Sequence, residues 1–270
     1  VLIDCFPYFN EKELLELRIE TLYDHVDGFL ITDANRTHRG EPKEFSCVNT
    51  LRELGIPEEK VQVLHVELPP IEEAPDPWIR ERGQRDALSV GLFQLPEDTF
   101  FICSDCDEIA NPKKLEEVKE AVLEHSDKTV RLSMSMHYGR ADRQLISPTG
   151  EKFDWRCGTA GTVGQLKEFG TLSSFRATTN NWYVGNRDAG WHLSWMGDAD
   201  KRRRKLSSIA EYYIWDKPEV HKLCDEFKAE EGKTDMLGRQ DHLITSYPID
   251  KLPEAALRIE RVKNYLLPDG

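Results

Sequence analysis

Apolar positions in the first half of the chain fall into two alternating rhythms. The runs Val1–Phe6, Val26–Thr32, Val61–Val66, Thr99–Cys103 and Val130–Met136 are continuously apolar or alternate with period two, which predicts five strands. Between the first two, Leu14, Leu15, Ile19, Leu22 and Tyr23 recur at helical spacing. Asn10 followed by Glu13 predicts a capping-box-like start for that helix, and Pro7 is expected to close the strand before it. Further helices are predicted around Cys47–Leu54, stopped by Gly55 and Pro57, and over Trp78–Phe93. Another runs from Asn111–Pro112, a cap followed by a first-turn proline, through about Glu124. Pro69, Pro70, Pro75 and Pro77 predict a stiff, irregular connection.

This alternation predicts an α/β fold of Rossmann type, a mostly parallel central sheet flanked by helices. From Tyr138 to Tyr183 the chain is rich in Gly, Thr and aromatic residues, which reads as short strands and loops. Lys201–Tyr213 and Pro218–Glu230 read as helical, and no internal repeat is visible. The expected organisation is one domain over 1–270, with a nucleotide-binding half, 1–137, and an acceptor-shaping half, 138–270.

Charge narrows the function classes. The 270 residues carry a net charge of −13, the opposite of what a phosphate backbone attracts, so a nucleic-acid partner is not expected. The local exception, Lys201-Arg202-Arg203-Arg204-Lys205, reads as a solvated helix start or as a cationic patch for phosphate or an anionic acceptor. No apolar run approaches the roughly 20 residues that span a bilayer. The chain opens at Val1 without a basic-then-apolar leader. Cys5, Cys47, Cys103, Cys106, Cys157 and Cys224 lack zinc-knuckle spacing and read as reduced, structural thiols. A glycan at the sequon Asn35-Arg36-Thr37 would obstruct a binding segment. The expected location is the cytoplasm, or the Golgi lumen if this is the catalytic portion of an anchored enzyme.

Chemistry concentrates at three places. Thr99–Cys103 runs straight into Asp105-Cys106-Asp107-Glu108, and ligands of open α/β sheets bind at the carboxyl ends of strands. Asp105 and Asp107 are hard oxygen ligands suited to Mg²⁺ or Mn²⁺, and a divalent ion would relieve the repulsion among three adjacent carboxylates. The other reading is an acidic cluster before a helix. Gly190-Trp191-His192-Leu193-Ser194-Trp195 reads as a strand with two core tryptophans, or as His192 reaching the same metal with Trp195 a platform for a sugar face. On the helix before the acidic strand, Arg85 and Asp86 are solvated charges, or turn inward to grip donor phosphate and sugar hydroxyls.

Taken together, these motifs resemble the family 17 glycosyltransferases over nearly the whole chain. The resemblance runs through Asp4–Glu11 with Leu14 to Arg18, Asp33–Gly40 with Lys43, Gln84-Arg85-Asp86, Asp105–Glu108 with Pro112, and Gly190–Trp195. It implies a GT-A fold, a UDP-sugar donor (UDP-GlcNAc in characterised members), a divalent metal, a glycan acceptor and inversion at the anomeric carbon. It implies that Asp105 and Asp107 are the metal motif, Asp107 the direct ligand, with His192 a further ligand. Asp33 and Asn35 would lie near the nucleotide, although many relatives are expected to carry glutamate at Asp33.

A single displacement then needs a carboxylate base on the acceptor side. Glu108, Asp154, Glu211, Asp235 and Asp241 are candidates, and the loop positions Asp235 and Asp241 are preferred. Arg85 or Lys205 would stabilise the leaving diphosphate. The competing classes are a metal-dependent phosphohydrolase acting on a nucleotide-sugar, and a non-catalytic sugar-binding protein.

Overall fold

The computed structural model describes residues 1–267. Its strands are β1 Leu2–Tyr8, β2 Gly28–Ala34, β3 Val61–Val66, β4 Phe100–Cys103, β5 Glu108–Ala110, β6 Thr129–Leu132 and β7 Met134–Tyr138. They continue with β8 Arg140–Ile146, β9 Asp154–Trp155, β10 Thr159–Thr162, β11 Asn181–Val184, β12 Gly190–Ser194 and β13 Leu243–Ser246. A seven-stranded sheet runs β3-β2-β1-β4-β10-β6-β11, with β10 alone reversed. The fold is therefore α/β with a mostly parallel central sheet, as the alternation predicts. A second sheet, β13-β8-β7-β12-β5 with β9 on β7, lies beside it.

Strand order reverses at β1, which has β2 on one side and β4 on the other, both parallel to it. The crevice at such a switch point, beyond the strands' carboxyl ends, is where an open α/β sheet takes a ligand. Pleating sends Leu2, Phe6 and Tyr8 of β1 to one face, with Leu14, Leu15 and Ile19 of helix Lys12–Leu22. Cys5 joins the other face, with Leu88 and Leu92 of helix Pro77–Leu92. Pro7 does not end β1, which pairs with β2 as far as Tyr8–Asp33. β4 has already stopped at Cys103 opposite Cys5, so no neighbour on that side needs the missing proline N–H.

Three more expectations are corrected. Asn10 does not cap the first helix, because its Oδ1 accepts from Ser46 Oγ at 3.2 Å and the capping position falls to Glu11. The predicted strand Val130–Met136 is two strands in different sheets, broken at buried Ser133, whose Oγ donates to Asp154 and accepts from the Arg187 N–H. The loop-like stretch after Tyr138 contains the helices Val163–Phe169 and Leu172–Ala177. The boundary between 137 and 138 falls inside β7, and β10 and β11 of the central sheet come from beyond it. The last three residues of the expected second half lie outside the described residues. Among the described residues no helix is long and apolar enough to cross a membrane, and all six cysteines are free thiols.

Candidate active site

The acidic motif is the link between the two sheets: β4 ends at Cys103 and β5 begins at Glu108. One buried side chain shapes that link. Arg18 lies on the apolar stripe of its helix, one turn from Leu14 and from Leu22, and is wholly buried. Its guanidinium forks onto Asp4 at 2.7 Å through both Nε and Nη2. Nη1 donates to the carbonyls of Asp105 (2.7 Å) and Glu108 (3.1 Å), and Nη2 also donates to Ser104 Oγ (2.8 Å). Five donors of one planar group thus set the backbone from which the acidic side chains project. The residue escapes notice as chemistry, but an arginine on an apolar helix stripe is a sequence-visible anomaly.

The carboxylates then point in different directions. Asp105 Oδ1 accepts from Arg85 Nη2 at 2.9 Å and Arg176 Nη1 at 3.2 Å. Burial alone would raise its pKa, but the two guanidinium groups hold the carboxyl far below the usual range. Asp107 has different partners: Lys205 Nζ donates to Oδ2 at 2.8 Å and His192 Nε2 stands 3.7 Å from Oδ1. Burial is again outweighed by the neighbouring charges, Lys205 first and then His192, and the carboxyl stays ionised. Glu108 is wholly buried, accepting the Trp155 indole N–H and, at 3.1 Å, the Asp105 N–H. Burial and then the Asp105 charge push it upward, so it serves as a structural acceptor.

His192 reaches this place through strand register. β12 pairs antiparallel with β5, setting His192 directly opposite Glu108. Gly190 permits the approach, since a Cβ there would lie 2.4 Å from the Ile109 carbonyl oxygen. The ring packs on Trp155 at 4.3 Å, and its buried Nδ1 has no partner. Immediately after β12, Trp195 adopts φ +59°, a left-handed conformation unusual for a bulky residue. Its buried ring carries Lys205 Nζ 5.4 Å from its centroid and lines a cleft with Phe9, Glu11, Arg204 and Lys205.

The three residues Gln84-Arg85-Asp86 turn to three faces, as successive helical positions must. Gln84 Nε2 donates to the carbonyls of Tyr8 (3.1 Å) and Thr32 (3.2 Å), joining the ends of β1 and β2. Arg85 bridges Glu81 (2.6 Å) and Asp105. Asp86 accepts from the Ser173 N–H at 2.8 Å, so its side chain docks helix Leu172–Ala177 and does not face the acidic link.

The cationic run also separates into individual tasks. Lys201 pairs with Glu13 at 2.6 Å, Arg202 donates to the carbonyls of Gly197 and Cys224, and Arg203 pairs with Asp200 and Asp225. Lys205 holds Asp107. Arg204 has no carboxylate partner among the described residues and stands exposed at the cleft, 5.9 Å from the Phe9 ring centre.

Other expected site residues lie elsewhere or are otherwise engaged. Asp33 is wholly buried, its Oδ1 taken by Lys43 Nζ at 2.7 Å and its Oδ2 by the N–H groups of Ser46 (2.6 Å) and Cys47 (2.8 Å). It anchors the start of helix Cys47–Leu54, and a carboxylate so committed has no free face for a nucleotide. Asn35 Oδ1 accepts from the Leu68 N–H at 2.9 Å. Asp235 and Asp241 are not brought to the acidic link. Asp241 precedes β13, the edge strand of the second sheet farthest from β5 in strand order, and Asp235 adjoins Thr234, which bridges to Leu243 of that strand. Asp235 is buried against Arg239, and Asp241 is exposed beside His242. Asp154 accepts from Ser133 Oγ and Arg156. Glu211, the remaining base candidate, lies close enough to Asp105 and Lys205 to feel their charges. Arg176 comes from a six-residue helix with no sequence signal for this place.

As a metal centre the donor set is smaller than expected. Among the described residues no three His, Cys, Asp or Glu side chains converge on one point. Arg85, Arg176 and Lys205 relieve the repulsion among the carboxylates, and Asp105, expected as a metal ligand, is held through Oδ1 by two arginines. Asp107 and His192 remain, a carboxylate and an imidazole 3.7 Å apart, with the imidazole's buried Nδ1 left without a partner. Two such donors suit an ion that takes its other ligands from water and a diphosphate.

The site is thus a cation-flanked acidic strand end beside the switch point of an α/β sheet. Residues 1–197 match the sequence model of glycosyltransferase family 17, and the chain belongs to that family. It is similar to the β-1,4-mannosyl-glycoprotein 4-β-N-acetylglucosaminyltransferases of Mus musculus, Rattus norvegicus and Homo sapiens, each 27% identical over 213 residues. That match covers 72% of this chain and 40% of each relative, so the chain spans well under half the length of the relatives it matches. Among solved structures, S. aureus TarS 1–349 in complex with UDP-GlcNAc is 11% identical with a TM-score of 0.42, covering 83% of this chain and 70% of that one. 4-diphosphocytidyl-2C-methyl-D-erythritol synthase is 10% identical with a TM-score of 0.44, covering 69% and 90%. Likenesses that loose carry no functional weight.

Proposed function

We propose that the chain is an inverting glycosyltransferase of GT-A type that moves N-acetylglucosamine from UDP-GlcNAc to a hydroxyl of a glycan acceptor. Family membership and the names of the relatives support the sugar, and their β-1,4-mannosyl acceptor supports a β-linked mannose as the receiving residue. The observation that carries the reading is the division of labour at the acidic link. Asp105 is held by Arg85 and Arg176, while Asp107 and His192 stand 3.7 Å apart. Asp107 and His192 would hold Mn²⁺ or Mg²⁺, which when bound supplies positive charge for the diphosphate leaving group. On this reading Lys205 exchanges Asp107 for a donor phosphate, and Arg204, free of a carboxylate, joins it. Arg85 fixes Asp105 against the end of β4, keeping the floor of the donor site rigid.

Calorimetric titration with UDP, with and without Mn²⁺, tests this. Mn²⁺ is expected to strengthen UDP binding in the wild type. Asp107→Ala and His192→Ala are expected to lose that gain, about 10- to 100-fold in affinity. UDP binding that ignores both the metal and the Asp107 substitution would overturn the metal assignment. Release of free sugar from UDP-GlcNAc at a rate no acceptor increases would favour a hydrolase.

A further inference from the structure

We propose that Glu211 is the catalytic base of the transfer, an inference that rests on the glycosyltransferase reading above. The argument begins with which carboxylates at the acidic link are free. Asp105 is taken by two arginines, Asp107 by Lys205, and Glu81 by Arg85. Glu108 is occupied by the Trp155 indole and the Asp105 N–H, Glu11 by the N–H groups of Phe9 and Asn10, and Asp86 by Ser173. Glu211 alone among these receives nothing from another residue. It caps helix Tyr212–Trp215 in position only, without a side-chain cap bond, and its carboxylate meets just its own backbone N–H.

Its place follows from two anchors on the segment that carries it. On one side Lys205, in the last turn of helix Ala199–Leu206, is fastened to Asp107. On the other, Arg39 in the loop after β2 holds the following turn. Its N–H donates to the Ser208 carbonyl at 3.3 Å, its guanidinium lies 4.8 Å from the Tyr212 ring centre, and it pairs with Asp216. The segment 205–216 therefore crosses the acidic link, and half-buried Glu211 hangs between the anchors. The charged groups facing it are Glu81 and Asp105 from the sheet side and Lys205 from its own segment. Burial raises its proton affinity, as do the Glu81 and Asp105 charges, against the opposing pull of its own backbone N–H and of Lys205. A carboxylate without a cation partner and with raised basicity is what proton removal from a sugar hydroxyl requires.

The step balances simply. The acceptor O–H proton passes to a Glu211 oxygen as the acceptor oxygen bonds to the anomeric carbon. The bond from that carbon to the β-phosphate oxygen breaks, and its electron pair leaves with UDP. Asp235 is paired with Arg239 and Asp241 with His242, so neither carboxylate stands free in the way Glu211 does.

The test measures UDP release from UDP-GlcNAc with Mn²⁺ and a glycopeptide ending in β-1,4-linked mannose, and separately with water alone as acceptor. Glu211→Gln is expected to lower kcat about 10²- to 10⁴-fold while leaving the Kd for UDP and the thermal midpoint unchanged. Glu211→Asp should retain intermediate activity. In the wild type kcat/KM should fall as pH drops through a value above the ordinary glutamate pKa, and Glu211→Gln should lose that acid limb. An active wild type whose Glu211→Gln variant turns over at a comparable rate, or keeps the acid limb, overturns the base assignment and leaves the transferase reading standing. A wild type that binds UDP but releases none from UDP-GlcNAc with either acceptor overturns the transferase reading, and the assignment of Glu211 with it.

Discussion

At the scale of single residues, Arg18 shows how a charge inside a helix stripe governs a site it never enters. Its guanidinium and the Asp4 carboxylate are both withdrawn from water, and the pair survives because every donor is matched. Removing one partner leaves the other as a buried, uncompensated charge. Arg18→Met is therefore expected to cost about 3–5 kcal/mol in urea unfolding, whereas Arg18→Met with Asp4→Leu should recover part of that loss. The double variant should still bind UDP weakly, because the carbonyls of Asp105 and Glu108 have lost the group that positions them. A double variant with wild-type UDP affinity would show that the link holds its shape without Arg18. The presence of Asp105 and Asp107 in a functional place was legible in the sequence, but their separate partners were not. Arg176 and Lys205 lie 71 and 98 residues away along the chain and meet the motif only through packing.

Among the elements, the short strands of the second sheet do the positioning. Five times the chain passes between the sheets: through Asp105–Asp107, from β5 to β6 by way of helix Leu115–Glu124, at Ser133, between β9 and β10, and between β11 and β12. Residues near these crossings, among them Asp107 and His192, line the site. β12 reaches β5 only because position 190 lacks a side chain. Gly190→Ala is expected to destabilise by about 1–3 kcal/mol in urea, as overpacking against fixed backbone does. It should also abolish the Mn²⁺ enhancement of UDP binding, since His192 would lose its register opposite Glu108. Gly83→Ala serves as the contrast, because its Cβ would meet only Leu68 Cδ2 at 3.4 Å within a helix, and it should be neutral or stabilising. Helices and strands of the first half were readable from periodicity, down to the bounds of Cys47–Leu54 and Val61–Val66. The crossings were not, because a strand that changes sheets keeps its alternation: Ser133 looks like one more polar position in a continuous run.

For the molecule as a whole, the second sheet places a buried histidine where protonation opposes folding. The ring of His137 is wholly buried, with Nδ1 2.6 Å from the Ala141 carbonyl, to which it donates, and Nε2 2.7 Å from Ser135 Oγ. Burial, helped by the His192 charge, lowers its pKa from 6.5 to about 4. Between those values the unfolded chain binds a proton that the folded chain does not. The stabilisation is complete above pH 6.5 and is lost as pH falls toward about 4, a difference of about 3 kcal/mol at most. Urea midpoints measured at pH 7 and pH 5 should show this loss. His137→Gln, which keeps one donor and one acceptor, should be less stable at pH 7 but show a shallower decline. An unchanged slope in that variant would assign the acid sensitivity to other groups.

The sequence by itself determined the α/β class, the run of β1 to β4 with their helices, the strand-end position of the acidic motif and the family. These follow from local periodicity, capping and short motifs, which act within a few residues. Tertiary structure alone decided what each carboxylate does. Asp33 became a helix anchor, Asp105 an arginine partner, Glu108 a buried acceptor, Asp235 the partner of Arg239 and Asp241 that of His242. The partners that assign those roles come from distant segments, and a carboxylate's chemistry is set by its burial and the charges facing it. Which of the chain's many acids is left free above the strand end is a property of the fold, and there the structure singles out Glu211.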